Sequence, residues 1–354
     1  MHLTKIRFVV LLFVAFAFAI LSQASTTFAQ DPWLVFEPDG KANGKHVVFV
    51  SGDEEYRGEE SCPMLAKILS QHHGFKCTVL FSINKESGCI DPFELGNTPG
   101  LESLASADVM ILCTRWRILP DEQIKHIFDF LEEGKPVVAF RTATHAFKTG
   151  DYGGYDWSNF GRNVVGENWL SHHGNHKTQG GRGFVVPENA KHPILNSVAD
   201  VFTTSDIYGI AALDQKAATI LMRGGVTETL DPASQLIDGK KNNPMMPFAW
   251  LKEYNSPSGK KKGKCFATTG GAAVDYRSED LRRMIVNATF FLGGLEVPEK
   301  ANVDFVDPFE PSFYGFPAKD YFAKRNMRVE DFQLGKSGRS YPDPKILKKA
   351  SSDE

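Results

Sequence analysis

Two spacings recur along the chain. Strand-like runs at Lys45–Val50, Lys76–Phe81, Ala107–Cys113 and Pro136–Phe140 are apolar without alternation, the pattern of strands covered on both faces. Between them, Met64, Leu65, Ile68 and Leu69, and later Ile124, Ile127, Phe128 and Leu131, recur at helical spacing, each set marking one buried helix face. The first helix begins near Glu59, and the second runs Asp121–Glu133, stopped by Gly134 and Pro136. Strands alternating with helices in this way predict an α/β fold, a flavodoxin-like doubly wound parallel sheet with helices on both faces.

The pattern changes after the fourth run. Thr149–Gly183 is rich in glycine, aromatics and histidine and is too long for a plain connection, so it reads as an ordered, functional loop insertion. Shorter strand-like runs follow at Gly183–Val186, Ala217–Met222, Met246–Tyr254 and Gly263–Thr268, the last two flanking a hairpin turn, NSPSGKKKG. Arg277–Leu292 predicts a closing helix capped by Ser278. Residues 30–44 read as a polar lead-in, and Ser82–Ser106 as an irregular linker. From residue 299 the chain is rich in Pro, Phe and charge and reads as an extended arm wrapping the domain, loose from about Gly335.

Composition narrows the class. The 354 residues are 42% hydrophobic and 12% aromatic, which suits a globular protein with a sizeable core. Lys5 and Arg7 precede an apolar run from Phe8 to Leu21, and Thr27 with Ala29 supply a small-x-small site. Residues 1–29 therefore read as a signal peptide, and the mature protein as periplasmic or extracellular. The apolar run is too short for a stable membrane span. Without the leader, 38 basic side chains face 43 acidic ones, which gives no reason to expect nucleic acid as a partner. The odd cysteine count, Cys62, Cys77, Cys89, Cys113 and Cys265, lacks the close pairs of structural zinc sites; Cys62 with Cys89 is the one pairing worth testing as a disulfide.

Chemistry gathers where the strands end. Ligands of open α/β sheets sit beyond the carboxyl ends of the strands, which directs attention to Arg141 and His145 in PVVAFRTATHAF, to Arg115 and Trp116 after the third run, and to Asp53, Glu54 and Tyr56 after the first. Asp53 or Glu54 can act as a general base or ligand, whereas Glu59 and Glu60 fall in a helix's first turn, where negative charge is favourable in itself. His172, His173 and His176 form a second cluster. Imidazoles transfer protons near neutral pH or bind transition metals, so the cluster is a candidate site for a divalent ion, zinc or manganese, with Asp206, His192 or Glu54 as a further ligand. The plainer alternative is that most of these histidines cap loops. No GxGxxG follows the first strand, so no nucleotide cofactor is expected.

SGDEEYRGEES, VVAFRTATHAF, GRNVVGENWLSHHGNH and TTGGAAVDYRSEDLRRMIVNATFFLGGLEVP together resemble the ThuA-like, or trehalose-utilisation, family over about Lys45–Pro298. That family resembles a branch of the class I glutamine-amidotransferase-like fold, in agreement with the predicted sheet. Many relatives carry His where Arg141 stands, and amidotransferases place a nucleophilic Cys in the turn after the equivalent strand. This turn has no thiol, so Cys-dependent glutamine hydrolysis is not expected. The resemblance implies a carbohydrate or sugar derivative as ligand, with Trp116, Trp169 and neighbouring rings available to stack on sugar faces. Asp206 and Tyr208 resemble a family acid-x-Tyr motif. The expected catalytic set is His145, Arg141, His173 and Asp53. Glu54, Tyr56, Arg115, Trp116, Trp169, Asp206 and Tyr208 are expected to contact substrate. Two readings stay open: a carbohydrate-active hydrolase, lyase or isomerase, or a non-catalytic sugar-binding or scaffold module.

Overall fold

A computed structural model of the protein describes residues 31–148 and 150–338. The leader expected over 1–29 and most of the loose tail expected from about Gly335 lie outside those residues. Among the described residues, ten strands form one sheet in the order β1-β3-β2-β4-β5-β10-β9-β8-β6-β7. They are β1 Trp33–Phe36, β2 His46–Gly52, β3 Lys76–Leu80, β4 Val109–Thr114, β5 Val137–Phe140, β6 Gly181–Val185, β7 Val201–Thr203, β8 Thr219–Val226, β9 Met246–Asn255 and β10 Lys262–Thr268.

The centre of the sheet is flavodoxin-like. Strands β3, β2, β4, β5 and β10 run parallel, in the doubly wound order that reverses direction between its first and third strands. The flanks differ from a purely parallel expectation: β1 pairs antiparallel with β3, and β9, β8, β6 and β7 extend the other edge antiparallel. The β9–β10 hairpin over NSPSGKKKG forms as expected. Two strands escaped the sequence reading, β1 inside the supposed polar lead-in and the three-residue β7.

Period-two alternation divides each central strand between two cores. Val47 and Phe49 of β2, Val109 and Ile111 of β4, and Val138 and Phe140 of β5 face the layer of helices α1 (Gly58–His73) and α3 (Glu279–Leu292). Val48, Val50, Met110, Leu112, Val137 and Ala139 face α2 (Asp121–Glu132), whose Ile124, Ile127 and Leu131 are buried as their spacing predicts. Burial on both faces explains why these strands carry no polar alternation. At about 1.5–3 kcal/mol for each fully buried large aliphatic side chain, this packing is what fixes the strand ends that carry the site.

Local signals explain the helix ends unevenly. Gly74 closes α1 at φ 72°, and a β carbon there would lie 2.4 Å from the Lys41 carbonyl oxygen, so glycine is required. Ser278 does occupy the N-cap of α3, but its side chain makes no capping hydrogen bond; Glu279 and Asp280 in the first turn supply the favourable charge instead.

The segment after α3 packs along α1 and α3. Arg282 and Arg283 donate to the carbonyls of Val303 and Ala301, Lys67 pairs with Asp307 at 2.5 Å, and the Phe332 ring stacks on Phe81. A short helix, α4 (Tyr321–Arg325), brings Arg325 under α1, where it meets Glu59 and Glu60. The proposed Cys62–Cys89 disulfide is not formed: all five cysteines are free and buried. Cys62 neighbours Cys113 through a side-chain hydrogen bond, whereas the Cys89 thiol lies 3.1 Å from Asn326 Oδ1. No helix of the described residues is long and apolar enough to cross a membrane.

Candidate functional site

The carboxyl ends of β2, β4 and β5 each turn sharply. Arg57, Trp116 and Arg141 adopt φ values of 63°, 50° and 48°, a left-handed conformation that costs a residue with a β carbon about 1–2 kcal/mol. Such outliers concentrate where packing fixes functional geometry. Arg141 is the first residue after β5 and opens a 3-10 turn, Arg141–His145.

Arg141 is buried, and both of its Nη atoms are engaged by protein groups. Its Cζ lies 4.0 Å from the centroid of the Tyr56 ring and 4.4 Å from that of Tyr208. Nη1 donates to the carbonyls of Asp206 and Thr269, and Nη2 donates to Tyr56 Oη and to Asp206 Oδ1, each at 3.0 Å. The guanidinium thus serves as a fixed counter-charge for Asp206. Burial alone would raise the Asp206 pKa, but hydrogen bonds from His172 and His176 and the charge of Arg141 hold the carboxylate well below its usual range.

Backbone pairing brings the histidines to that carboxylate. His172 bridges antiparallel to Tyr208, His173 N donates to the Ile207 carbonyl, and Gly209 N to the Ser171 carbonyl. His172 Nδ1 then lies 2.8 Å from Asp206 Oδ2, and His176 Nδ1 lies 3.3 Å from Asp206 Oδ1, with the two rings 4.2 Å apart. Ligand atoms of His172, His176 and Asp206 all fall within 4.8 Å of one another. Nitrogen and oxygen donors at this spacing suit zinc or manganese, and three protein ligands leave a coordination position open. The alternation that places His172 here turns His173 away: its Nε2 contacts the Lys241 carbonyl at 2.6 Å. Of the three histidines expected as ligands, His173 therefore falls outside the donor group, while Asp206, expected as a further ligand, falls within it. His176 has its pKa raised; burial opposes this, but its contacts with the Asp206 and Glu55 carboxylates prevail.

His145 stands beside this cluster. Its backbone is tied by Trp116 N to its own carbonyl at 2.9 Å, and its Nδ1 meets Thr144 Oγ1 at 3.0 Å. Trp116 and Trp169 flank the imidazole at 4.9 and 5.6 Å between centroids. Burial, then the charges of Arg115 and Arg141, push its pKa well below the usual histidine value, so the ring is neutral at physiological pH. Trp169 remains 38% exposed and forms the open side of the aromatic group. Tyr208 is buried, with its ring 5.6 Å from that of His172.

The acidic loop after β2 is divided in its roles. Asp53 Oδ1 accepts the backbone N–H groups of Glu55 and Tyr56, and Oδ2 accepts the Thr142 hydroxyl; the side chain shapes the loop and lies fully buried. Glu54 pairs with Arg115 and, at 3.1 Å, with Arg117. Its pKa is raised, by burial first and then by Asp53. Four residues the sequence reading passed over belong to this neighbourhood. Glu55 Oε1 lies 3.1 Å from His176 Nε2. Arg117 is buried and also bonds Ser82 and the Pro92 carbonyl. Tyr314 packs 5.4 Å from His176, and Phe316 covers the Arg115 guanidinium at 4.7 Å. Arg117 alone carried a signal, as the second arginine of an RWR run at a strand end.

A family model described as trehalose utilisation, ThuA, matches residues 46–292. The chain belongs to the ThuA family. Its match ends at the last residue of α3, so Tyr314 and Phe316 come from beyond the family domain. Among solved structures, a protein from Parabacteroides merdae described as ThuA-like is 12% identical, with a TM-score of 0.48, covering 73% of this chain and 92% of that one. A cytoplasmic protein from Salmonella typhimurium LT2 is 13% identical, with a TM-score of 0.41, over 70% of this chain and 99% of that one. A β-galactosidase from Rahnella sp. R3 is 14% identical at a TM-score of 0.38, the match spanning 32% of its length. No curated protein matches the chain.

Proposed function

We propose that this ThuA-family protein binds and transforms a carbohydrate or sugar derivative in the crevice at the ends of β2, β4 and β5, with a divalent cation at His172, His176 and Asp206. The observation that carries the reading is the convergence of those three donors within 4.8 Å, beside a neutral imidazole and two indole rings. A bound zinc or manganese ion would polarise a sugar oxygen. His145, set between the two indole rings with its pKa pushed down by burial, is the neutral imidazole placed to accept a proton. Trp169 and Trp116 offer faces to the apolar side of a pyranose, and Arg115 offers hydrogen-bond donors at the rim. Arg141 acts through Asp206 and does not face the ligand, since all its bonds run to protein groups.

A second reading, a sugar-binding module without turnover, is favoured by one observation. Asp53 and Glu54 are both committed to protein partners, which takes both acids expected as general base out of the chemistry. Export belongs to either reading and is supported by the apolar run Phe8–Leu21 behind Lys5 and Arg7.

The deciding experiment is elemental analysis of tag-free, chelator-free protein, followed by turnover assays on a sugar panel with His145→Ala as the control. About one metal per chain and turnover lost in His145→Ala support the enzyme. Sugar binding without turnover supports the module, and absence of metal after incubation with zinc and manganese removes the metal site.

A further inference from the structure

We propose that Glu55 is the positioning residue of this metal centre: it accepts the Nε2 proton of His176 and so leaves the Nδ1 lone pair to the cation that Asp206 shares. The inference rests on the metal reading above. A neutral imidazole has one N–H and one lone pair, and a ligating histidine is held in the right tautomer by whatever its other nitrogen donates to. His176 has a carboxylate at each end, Asp206 Oδ1 at 3.3 Å from Nδ1 and Glu55 Oε1 at 3.1 Å from Nε2. Only the first belongs to the three-donor set.

Glu55 is placed for this task. It is 4% exposed, and its Oε1 is buried without an aligned hydrogen bond. An unsatisfied buried carboxylate oxygen is costly, and a small rotation of the facing imidazole satisfies it. The backbone of Glu55 is fixed on both sides, its N–H donating to Asp53 Oδ1 and its carbonyl accepting Gly315 N, each at 2.8 Å. Its Oε2 faces Arg115 Nε at 3.9 Å. Tyr314, next to Gly315 in the arm, packs on the His176 ring, and Tyr56 meets it edge-on at 6.3 Å. The arm therefore helps to hold both members of the pair. Asp206 is supported in the same manner by Arg141, so each side of the centre has one buried group behind it.

The test is zinc affinity of the full chain, by competition with a chelator, for wild type, Glu55→Met and Glu55→Gln. Glu55→Met is expected to weaken zinc about 10–100-fold, while Glu55→Gln retains most of the affinity because its amide oxygen accepts the same proton. The visible spectrum of the cobalt-substituted protein keeps its shape in both variants. Zinc binding by Glu55→Met within twofold of wild type overturns the proposal, and so does a cobalt spectrum altered in both variants, which would make Glu55 a ligand. Nitrogen-15 spectra of zinc-loaded wild type need no variant to fold: the Nε2–H form of His176 is expected, and ligation through Nε2 overturns the assignment. A wild-type chain that binds no zinc overturns the metal reading itself, and the role of Glu55 with it.

Discussion

Arg141 and Asp206 form a charge pair with both side chains fully buried, Nη2 and Oδ1 being 3.0 Å apart. The pair joins β5 to the loop after β7, and every polar contact of the guanidinium ends on protein. Its worth lies in what removal would expose. A buried pair costs desolvation on both ions, so its net contribution is small, but deleting one partner leaves the other uncompensated.

Arg141→Met is accordingly expected to destabilise the protein by about 3–5 kcal/mol, measured by urea unfolding. Asp206→Asn in the Arg141→Met background should recover part of that loss, because the stranded carboxylate is gone. A single-variant cost below about 1 kcal/mol would mean that Arg141 is solvated and available to ligand after all.

The neighbouring histidines make a sharper contrast. His172→Ala removes a donor 2.8 Å from Asp206 and should abolish stoichiometric metal. His173→Ala removes only a contact to the Lys241 carbonyl and should leave metal content unchanged. Elemental analysis of the two purified variants decides it; equal loss in both would return His173 to the site.

For His145 the direction of the pKa shift fixes a spectroscopic outcome. Its folded pKa is depressed below the ordinary value of 6.5, so between pH 6 and 8 its ring nitrogen resonances should not move. The stability linked to the neutral ring is present above pH 6.5 and is lost as pH falls through the depressed pKa, since the unfolded chain takes up the proton first. A midpoint above 6.5 in the folded protein would sink the general-base role.

How far the sequence foretold this site depends on the range of the interactions involved. Val47–Val50 and Val137–Phe140 announce themselves because continuous apolar strands arise from burial on both faces, a property written into consecutive residues. Strand β1 does not, for WLVF is short and Val35 is 46% exposed. His172, His176 and Asp206 were each legible as donors. Their convergence was not, because it depends on the bridge between His172 and Tyr208, two residues separated in sequence by β6 and β7. The sequence offers three neighbouring histidines as donors, whereas backbone alternation sends His173 the other way. Glu55 was hidden among the acids of SGDEEYRGEE, where only the fold distinguishes the carboxylate facing His176 from those facing Arg115 and Arg325. Tyr314 and Phe316 lie in a segment with no periodicity to read.

Glu59 and Glu60 share Arg325, but unequally. Glu60 also accepts both the N–H and the hydroxyl of Ser312 at 2.7 Å, while Glu59 has one bond to Arg325 at 2.8 Å and an unpartnered buried oxygen. Burial therefore raises the Glu59 pKa to about 7, against the pull of Arg325 and with the help of Glu60. A raised carboxyl pKa means that the folded state holds its proton more tightly than the unfolded state. The associated stability is complete below about pH 4.5 and is lost as pH rises to about 7. Over that window wild type should lose about 3 kcal/mol relative to Glu59→Gln, whose neutral amide cannot titrate. Urea unfolding of the two proteins at pH 4.5, 6 and 8 measures the difference directly. Parallel stability curves would show that Arg325 keeps Glu59 ionised throughout, and that the arm is held to α1 by charge at every pH.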